Sequence, residues 1–230
     1  MKRILGKPLI GYVFEQLKYS KRIDKIILAT SEAASNDPLA EYVQGLGFDV
    51  FRGNEDDVLA RFYKAALMFN PGAVVRVTGD SPLLDPMICD QLIEFYEKKK
   101  TDYVSTGKKF AEGVDCEVFS FAALEKAAQK ARLFSEREHV TAHMYKHPET
   151  FTTAIWENEE DDSRFRFTVD EPEDLEVAEK IIKSLYSPTK PIVYSAVKDF
   201  IAKHPGLSKK NAHIVRNEGY LKSLKKDKAV

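Results

Sequence analysis

Two aspartates stand where apolar runs of this sequence end. Asp80 follows the run at 73–78, and Asp170 comes directly after the run at 167–169. Ligands of open α/β sheets sit outside the carboxyl ends of the strands, so we expect the two side chains to face each other across a crevice. Two hard oxygen ligands, with room for water and phosphate oxygens, are how Mg²⁺ is usually held. The pair therefore predicts a Mg²⁺ site.

Each aspartate also has a structural interpretation. Asp80 fits a turn before Pro82, and Asp170 fits a cap on a helix that begins at Pro172. Taken singly, these interpretations are favoured. Taken together, at two strand ends of one parallel-type sheet, the two residues favour the metal site.

The elements that would position these side chains alternate along the first hundred residues. Pro8 suits the first position of a helix with no strand before it. The pattern then predicts strands at 25–30, 48–51 and 73–78 and helices at 37–46, 56–69 and 86–97. This alternation indicates an α/β fold with a mostly parallel sheet and helices on both faces.

Beyond residue 100 the pattern changes. We predict a strand at 114–119, a helix capped by Ser120, a helix at 135–146, antiparallel strands at 151–156 and 164–169, and a helix at 172–185. The sheet is therefore expected to be mixed. His139, His143 and His147 recur at four-residue spacing, but no acidic partner pattern supports zinc, and we reject a metal stripe there.

Composition bounds the class of protein. The 230 residues, 43% hydrophobic and 31% charged, fit one globular domain rather than a disordered or membrane chain. Lys and Arg total 35 against 36 Asp and Glu, so no bulk charge points to nucleic acid or to a membrane surface. Two cysteines build no disulfide framework, which favours a reducing, cytoplasmic setting.

The segment 208–230 differs from the rest of the chain. It carries seven basic and two acidic residues. We divide the chain into a domain at 1–207 and a basic tail at 208–230. A solvated tail helix is favoured over an anion-binding patch.

Several segments in the right order resemble one family. They are 51–61, 76–86, 113–120, 137–141, 167–175 and 211–213. The combination resembles bacterial cytidylyltransferases of the spore-coat polysaccharide type, relatives of the acylneuraminate cytidylyltransferases. The resemblance implies a Rossmann-like nucleotide-diphospho-sugar transferase fold. It also implies that a hydroxyl of a sugar or sugar acid attacks the α-phosphate of CTP and pyrophosphate leaves.

The same resemblance implies roles for particular residues. Asp80 and Asp170 would be the catalytic, Mg²⁺-binding pair. The nucleotide pocket would be formed by Thr30, Ser31, Arg52, Asp56 and Arg61, and the acceptor-sugar side by Asp115, Glu117, Glu138 and His139. Structural alternatives remain: Asp56 as a helix cap, Arg61 paired with a neighbouring carboxylate, and His139 as a packing residue.

This sequence departs from the family at one point. Members of the family open with a strand and a basic phosphate loop, followed by a Gly-Lys-Pro-Leu segment that matches residues 6–9 here. We therefore expect the sheet and the phosphate site of the 230 residues to be incomplete, and we give Arg3 and Lys7 no phosphate role. A polypeptide that begins further upstream is favoured over an inactive relative.

The sequence thus predicts an enzyme that makes a CMP-sugar for surface polysaccharide or glycan synthesis. CTP and a sugar acid would be its substrates, Mg²⁺ its cofactor, and a homodimer its commonest assembly. One alternative is an inactive relative that binds a sugar or a partner. Another is a nucleotidyltransferase or glycosyltransferase that uses a different nucleotide.

Overall fold

The computed structural model describes residues 1–227 of the chain; Lys228 of the predicted basic tail lies outside the described residues. A hairpin of β1 (Arg3–Ile4) and β2 (Lys7–Pro8) comes first. Leu5 and Gly6 form its turn, with φ of 48° and 78°. Helix α1 (Leu9–Leu17) follows with Pro8 as its N-cap. The expectation of no strand before this helix is therefore wrong.

A parallel pair lies next along the chain. Strands β3 (Ile27–Ser31) and β4 (Asp49–Gly53) pair in parallel through helix α2 (Asp37–Gly45). Helix α3 (Val58–Phe69) then begins after Asp57, whose side chain accepts a hydrogen bond from the Ala60 amide over 2.9 Å. The N-cap of this helix is therefore Asp57, whereas the sequence pattern suggested its neighbour Asp56.

The largest sheet within residues 1–227 has four strands. Its order is β5 (Ala73–Arg76), β7 (Glu117–Ser120), β6 (Tyr103–Thr106) and β8 (Thr153–Trp156). β7 is antiparallel to both neighbours and β8 is parallel to β6, so three strands run one way and one runs against them. The sheet is mixed, as predicted, but two of its three strand pairings are antiparallel, so it is not mostly parallel. Within residues 1–227, β3 pairs only with β4 and β5 only with β7.

The sheet has apolar packing on both faces. Adjacent residues of a strand point to opposite faces. Val118 belongs to one buried cluster, with Leu92 and Val114, and Phe119 belongs to a second, with Leu59. Helices α4 (Pro86–Lys99) and α5 (Phe121–Lys130) contact the strands of this sheet. Helices α7 (Ala142–Lys146) and α8 (Pro172–Leu185) contribute residues to the two buried clusters, and α6 (Phe134–Glu138) packs against α3 and α7. Within the described part of the chain, none of the helices combines the length and apolarity needed to cross a bilayer.

Three predicted elements differ from the structure. The helix at 135–146 is two helices, α6 and α7, because Val140 between them adopts φ of 51°. The strand predicted at 151–156 is β8, which is parallel rather than antiparallel to its neighbour. The segment 164–169 makes only an isolated bridge, Arg166 to Glu112, instead of a strand.

The end of the chain packs onto the domain. Helices α9 (Tyr194–Lys203), α10 (Pro205–Ser208) and α11 (Glu218–Leu224) follow α8. Asn211 and Ser223 in this segment are buried, at 1% and 3% exposure. Helix α11 leaves most of its other residues exposed, as expected of a solvated helix, but the charge pattern did not predict this docking.

Candidate active site

The two aspartates predicted to bind metal lie side by side. The amide of Val169 donates to the backbone carbonyl of Asp80 over 2.9 Å, one residue before Asp170. Burial, and then the negative charge of Asp80, raise the pKa of Asp170 above its ordinary value. The structure therefore brings the pair together at the ends of two chain segments that are 90 residues apart in sequence.

The loop after β5 orients the Asp80 carboxylate. Thr78 Oγ1 donates to its Oδ1, and Ser81 Oγ does so over 3.1 Å. Within residues 1–227, no hydrogen bond reaches Oδ2 of Asp80 or Oδ1 of Asp170. Each carboxylate thus keeps one oxygen for a further partner. Hard oxygen atoms on two close, like-charged groups fit a Mg²⁺ ion.

A buried arginine holds the second aspartate. Nη2 of Arg166 lies 2.5 Å from Asp170 Oδ2, Nη1 lies 2.6 Å from Glu112 Oε2, and Nε lies 3.0 Å from Asp174 Oδ1. Burial alone would lower the pKa of Arg166, but its bonds to Asp174 and Glu112 raise it above the ordinary value. The guanidinium therefore stays charged and fixes the position of Asp170.

The segment after α10 completes this network. Asn211 Nδ2 donates to the Arg166 carbonyl over 3.0 Å and to Asp174 Oδ1 over 2.8 Å. The backbone amide of Asn217 donates to Glu112 Oε1 over 2.9 Å. Although burial acts in the opposite direction, bonds from Arg166 and Asn211 lower the pKa of Asp174 below its ordinary value. The carboxylates of Glu112 and Asp174 thus each accept hydrogen bonds both from Arg166 and from the segment after α10.

A glycine allows the chain to pass close to this network. Gly113 has φ of 94°, and a Cβ added to it would lie 2.2 Å from the Thr168 amide nitrogen. The neighbouring residue Glu112 pairs with the same segment. Its amide donates to the Phe165 carbonyl over 3.0 Å, and its carbonyl accepts from the Phe167 amide over 2.7 Å. Any larger residue at 113 would push Glu112 away from Arg166.

The residues predicted to line the nucleotide pocket share the carboxyl ends of β3 and β4. Thr30 and Ser31 are buried at the end of β3, and Thr30 is in register with Arg52. Arg52 donates from Nε to the Ser31 carbonyl over 3.0 Å, and its Nη1 lies 2.6 Å from Asp37 Oδ1. The guanidinium of Arg52 is therefore already engaged in holding the loop after β3.

Arg61 has more capacity for a ligand. Its side chain packs over Gly53 and donates from Nη1 to the Asn54 carbonyl over 3.0 Å. Its Nε is buried and makes no hydrogen bond within the part of the chain that the structure describes. Burial lowers the pKa of Arg61, and the nearby Glu55 opposes that effect. Asp56 is exposed, and its backbone amide donates to Asn54 Oδ1 over 2.9 Å.

Glu117, predicted on the acceptor side, is surrounded by donors. Arg76 Nη1, Tyr103 Oη and Thr141 Oγ1 lie 2.5, 2.6 and 2.7 Å from its carboxylate oxygens. Burial acts to lower the pKa of Arg76, but its interactions with Glu117, Tyr103 and Asp80 raise that pKa above its ordinary value. Arg76 therefore lies between the aspartate pair and the predicted acceptor side.

Asp115 is less enclosed than Glu117. Arg216 Nη2 donates to its Oδ1 over 2.8 Å, and the Gly113 amide donates to its Oδ2 over 3.0 Å. Burial raises the pKa of Asp115 to about 6, although Arg216 acts to lower it. The side chain retains 40% of its exposure, against 15% for Glu117. Asp115 is thus the more accessible carboxylate of the two.

Helix α11 covers Glu138 and His139. Ser223 Oγ donates to Glu138 Oε2 and lies 2.9 Å from His139 Nε2. The Tyr220 ring meets the imidazole edge-on, with centroids 5.0 Å apart. Burial lowers the pKa of His139. The structure places both residues beside the tail, next to Thr141 and its bond to Glu117.

The two N-terminal cations are engaged elsewhere. Lys7 Nζ donates to Tyr186 Oη over 2.6 Å and pairs with Glu15. Arg3 Nη1 donates to the Gly6 carbonyl over 2.8 Å. Both side chains are thus engaged in local contacts, and the expectation that neither has a phosphate role stays a prediction.

Sequence reasoning missed the donors that hold the acidic side chains. They are Arg166, Asn211, Arg216 and Arg76. Arg166 stands four and eight residues before Asp170 and Asp174, and this spacing is the one signal that could have indicated the network. The other partners come from more than thirty residues away, so spacing alone could not show them.

Comparisons with known proteins agree with this geometry. A family model described as cytidylyltransferase matches residues 1–204. The uncharacterised protein MJ1063 of Methanocaldococcus jannaschii is 36% identical over 214 residues, which cover 92% of this chain and 86% of that protein. The spore coat polysaccharide biosynthesis protein SpsF of Bacillus subtilis is 32% identical over 181 residues, covering 77% and 73%.

A solved structure has the same architecture. The structure of a cytidylyltransferase from Leptospira borgpetersenii superimposes with a TM-score of 0.83 at 31% identity, over 89% of this chain and 87% of the other. The fold is therefore the Rossmann-like nucleotide-diphospho-sugar transferase fold. On the family match and the relatives together, the chain belongs to the cytidylyltransferases and is a nucleotidyltransferase.

Proposed function

We propose that the chain transfers CMP from CTP to a sugar acid, or a related sugar, in a Mg²⁺-dependent reaction. The product would be an activated sugar made in the cytoplasm for surface polysaccharide or glycan synthesis. The observation that carries this proposal is the meeting of Asp80 and Asp170, each with one carboxylate oxygen available. The name of the Bacillus subtilis relative supports polysaccharide synthesis as the destination.

The reaction requires one bond to form and one to break. A hydroxyl oxygen of the acceptor bonds to the α-phosphorus of CTP, the bond from that phosphorus to the bridging oxygen breaks, and pyrophosphate leaves. The hydroxyl proton passes to solvent or to a nearby carboxylate. Because phosphoryl transfer needs positioned charge rather than covalent chemistry, the residues act chiefly by placing charge.

Asp80 and Asp170 would hold the metal. A bound Mg²⁺ neutralises triphosphate charge and orients the phosphates for attack. Arg166 keeps Asp170 in place and opposes the rise in its pKa, since its guanidinium lies against the Oδ2 atom and leaves Oδ1 open. Thr78 and Ser81 hold the Asp80 carboxylate in place through its Oδ1 atom. These three contacts pre-arrange the pair before substrate arrives.

Substrate binding would use the two flanking groups. Arg61, whose Nη2 makes no hydrogen bond within residues 1–227, would donate to the nucleotide, whereas Arg52 shapes the loop after β3. On the acceptor side, Asp115 is accessible enough to accept hydroxyl hydrogens, and Glu117 acts mainly by fixing Arg76. Glu138 and His139 border this side beneath α11.

Pyrophosphate release tests the proposal. The protein is assayed with each of the four nucleoside triphosphates, with and without Mg²⁺, against a panel of sugar acids. CTP with one sugar acid should give Mg²⁺-dependent release well above the other nucleotides. Equal turnover with other nucleotides, or release without Mg²⁺, would contradict it.

Thermal unfolding separates an enzyme from an inactive relative. CTP and Mg²⁺ at ~100 times the dissociation constant should stabilise the native state by about 2.7 kcal/mol. An inactive relative that binds only a sugar or a partner would show no such shift with CTP.

A further inference from the structure

The turn between α6 and α7 gathers three side chains of metal-ligand type. One ligand atom from each of Glu136, His143 and His147 lies within 4.8 Å of the other two. Glu136 and His143 are buried, and His147 is half-buried. The proposed function assigns no role to these three residues, which we call the α6–α7 cluster.

His143 has a ring nitrogen without a hydrogen bond. Its Nδ1 is buried, lies 3.1 Å from Glu136 Oε2, and makes no hydrogen bond within residues 1–227. The same oxygen already accepts the amides of Arg132 and Leu133, over 3.2 and 3.4 Å. A buried polar atom left without a partner is destabilising. A cation between Nδ1 and the carboxylate would remove that penalty.

His147 is oriented from behind by a second carboxylate. Its Nδ1 lies 2.9 Å from Glu149 Oε1, and its Nε2 lies 3.3 Å from Glu136 Oε1. When Nδ1 donates its proton to Glu149, the lone pair of Nε2 faces the Glu136 carboxylate. A carboxylate that fixes the tautomer in this way is the usual partner behind a metal-bound histidine.

We infer that the α6–α7 cluster binds a divalent transition-metal ion of the Zn²⁺ class. Two imidazole nitrogens and one carboxylate oxygen are a ligand set typical of Zn²⁺, with a fourth position left for water. The oxygen-only pair Asp80 and Asp170 suits Mg²⁺ instead. The two sites would therefore differ in metal preference.

The break between the helices explains why the sequence pattern was misleading. The regular spacing predicted a stripe of His139, His143 and His147 with no acidic partner. At Val140 the chain turns, so that His139 contacts Ser223 while Glu136 approaches the other two histidines. The competing interpretation is a protonated His147 that bridges Glu136 and Glu149 without any metal.

Metal titration distinguishes the two interpretations. Zn²⁺ is titrated into the full chain by calorimetry in excess Mg²⁺, which occupies the oxygen site, and Co²⁺ binding is followed by visible absorption. We expect one equivalent to bind. His147→Ala should weaken binding by more than the ~10–100-fold typical of losing an outer-shell partner. His204→Ala, an exposed histidine stacked on Phe200, is the matched control and should bind like the wild type.

Two results would overturn the inference. One is a wild type that takes up no Zn²⁺ or Co²⁺, which would leave the protonated bridge. The other is a His147→Ala variant, folded by circular dichroism, that binds as tightly as the His204→Ala control. His147 is the C-cap residue of α7, but its side chain is half-exposed and its ring contacts Glu136 and Glu149, so its loss should leave the fold intact. Neither result bears on CTP turnover, so the proposed function is tested separately.

Discussion

Nη2 of Arg166 lies 2.5 Å from Oδ2 of Asp170. The arginine is 7% exposed and also contacts Glu112 and Asp174, so one buried cation organises three carboxylates. Because the Asp170 side chain is half-exposed, this contact connects the buried arginine to the surface on which Asp80 and Asp170 lie. The geometry of the site is thus set by a residue that need not touch substrate.

Replacing Arg166 should be severely destabilising. Arg166→Met leaves Glu112 and Asp174 buried without their cation, and breaking a buried pair by removing one partner costs about 3–5 kcal/mol. Urea denaturation measures the change. The exposed Arg164→Met is the control and should stay within about 0.5 kcal/mol of wild type. Equal stability of the two variants would show that the network does not support the fold.

Asn211 should stabilise the domain although it lies beyond the predicted boundary at 207. Asn211→Ala removes two donated bonds to the Arg166 network and should lower the free energy of unfolding by about 1–3 kcal/mol. The exposed His213→Ala serves as the neighbouring control. If thermal and urea denaturation give the same value for both, the docking of this segment contributes nothing to stability.

Arg61 should contribute to nucleotide affinity. Hydrogen bonds to charged groups contribute about 1.5–3 kcal/mol, so Arg61→Met should weaken CTP binding roughly 10- to 150-fold. The fold should be retained, since the Nε atom has no protein partner to lose among the described residues. Calorimetry with CTP and Mg²⁺ gives the affinity. Lys64→Met, exposed on the same helix, should bind normally, and matching affinities would exclude Arg61 from the pocket.

Asp115 should make stability depend on pH. Its folded-state pKa of about 6 lies above the ~3.9 of an unfolded aspartate. Between these values Asp115 is more protonated in the folded state than in the unfolded state, so its contribution to the free energy of unfolding should fall as pH rises from 4 to 6. Asp115→Asn should reduce that fall. Urea denaturation at several pH values checks it, and parallel curves for the two proteins would refute the assignment.

The alternation of strands and helices was predictable because it depends on local pattern. The apolar run at 73–76 is a strand and the segment 172–185 is a helix, as predicted. Asp80 and Asp170 meet as predicted from the sequence, although the segment 164–169 before Asp170 makes only an isolated bridge instead of a strand. Ser120 is a confirmed cap, since its side chain accepts a hydrogen bond from Ala123 over 3.0 Å.

Long-range partners were not predictable in the same way. Nothing near Asp115 in sequence indicates Arg216, which lies 101 residues away, and charge counting could not show where the tail docks. The break at Val140 depends on one residue with positive φ that carries no glycine or asparagine signal. Such contacts arise from tertiary packing, which a local pattern does not encode.

The most direct test of the account is the Mg²⁺ dependence of CTP turnover in Asp80→Asn. The change keeps the shape of the side chain and removes the charge beside Asp170. We expect a folded protein whose kcat falls at least about 10²–10³-fold, the scale of losing one preorganised electrostatic group. Asp24→Asn, at an exposed position, is the control and should keep wild-type activity. Wild-type, Mg²⁺-dependent turnover by Asp80→Asn would contradict the metal-pair assignment on which the account depends.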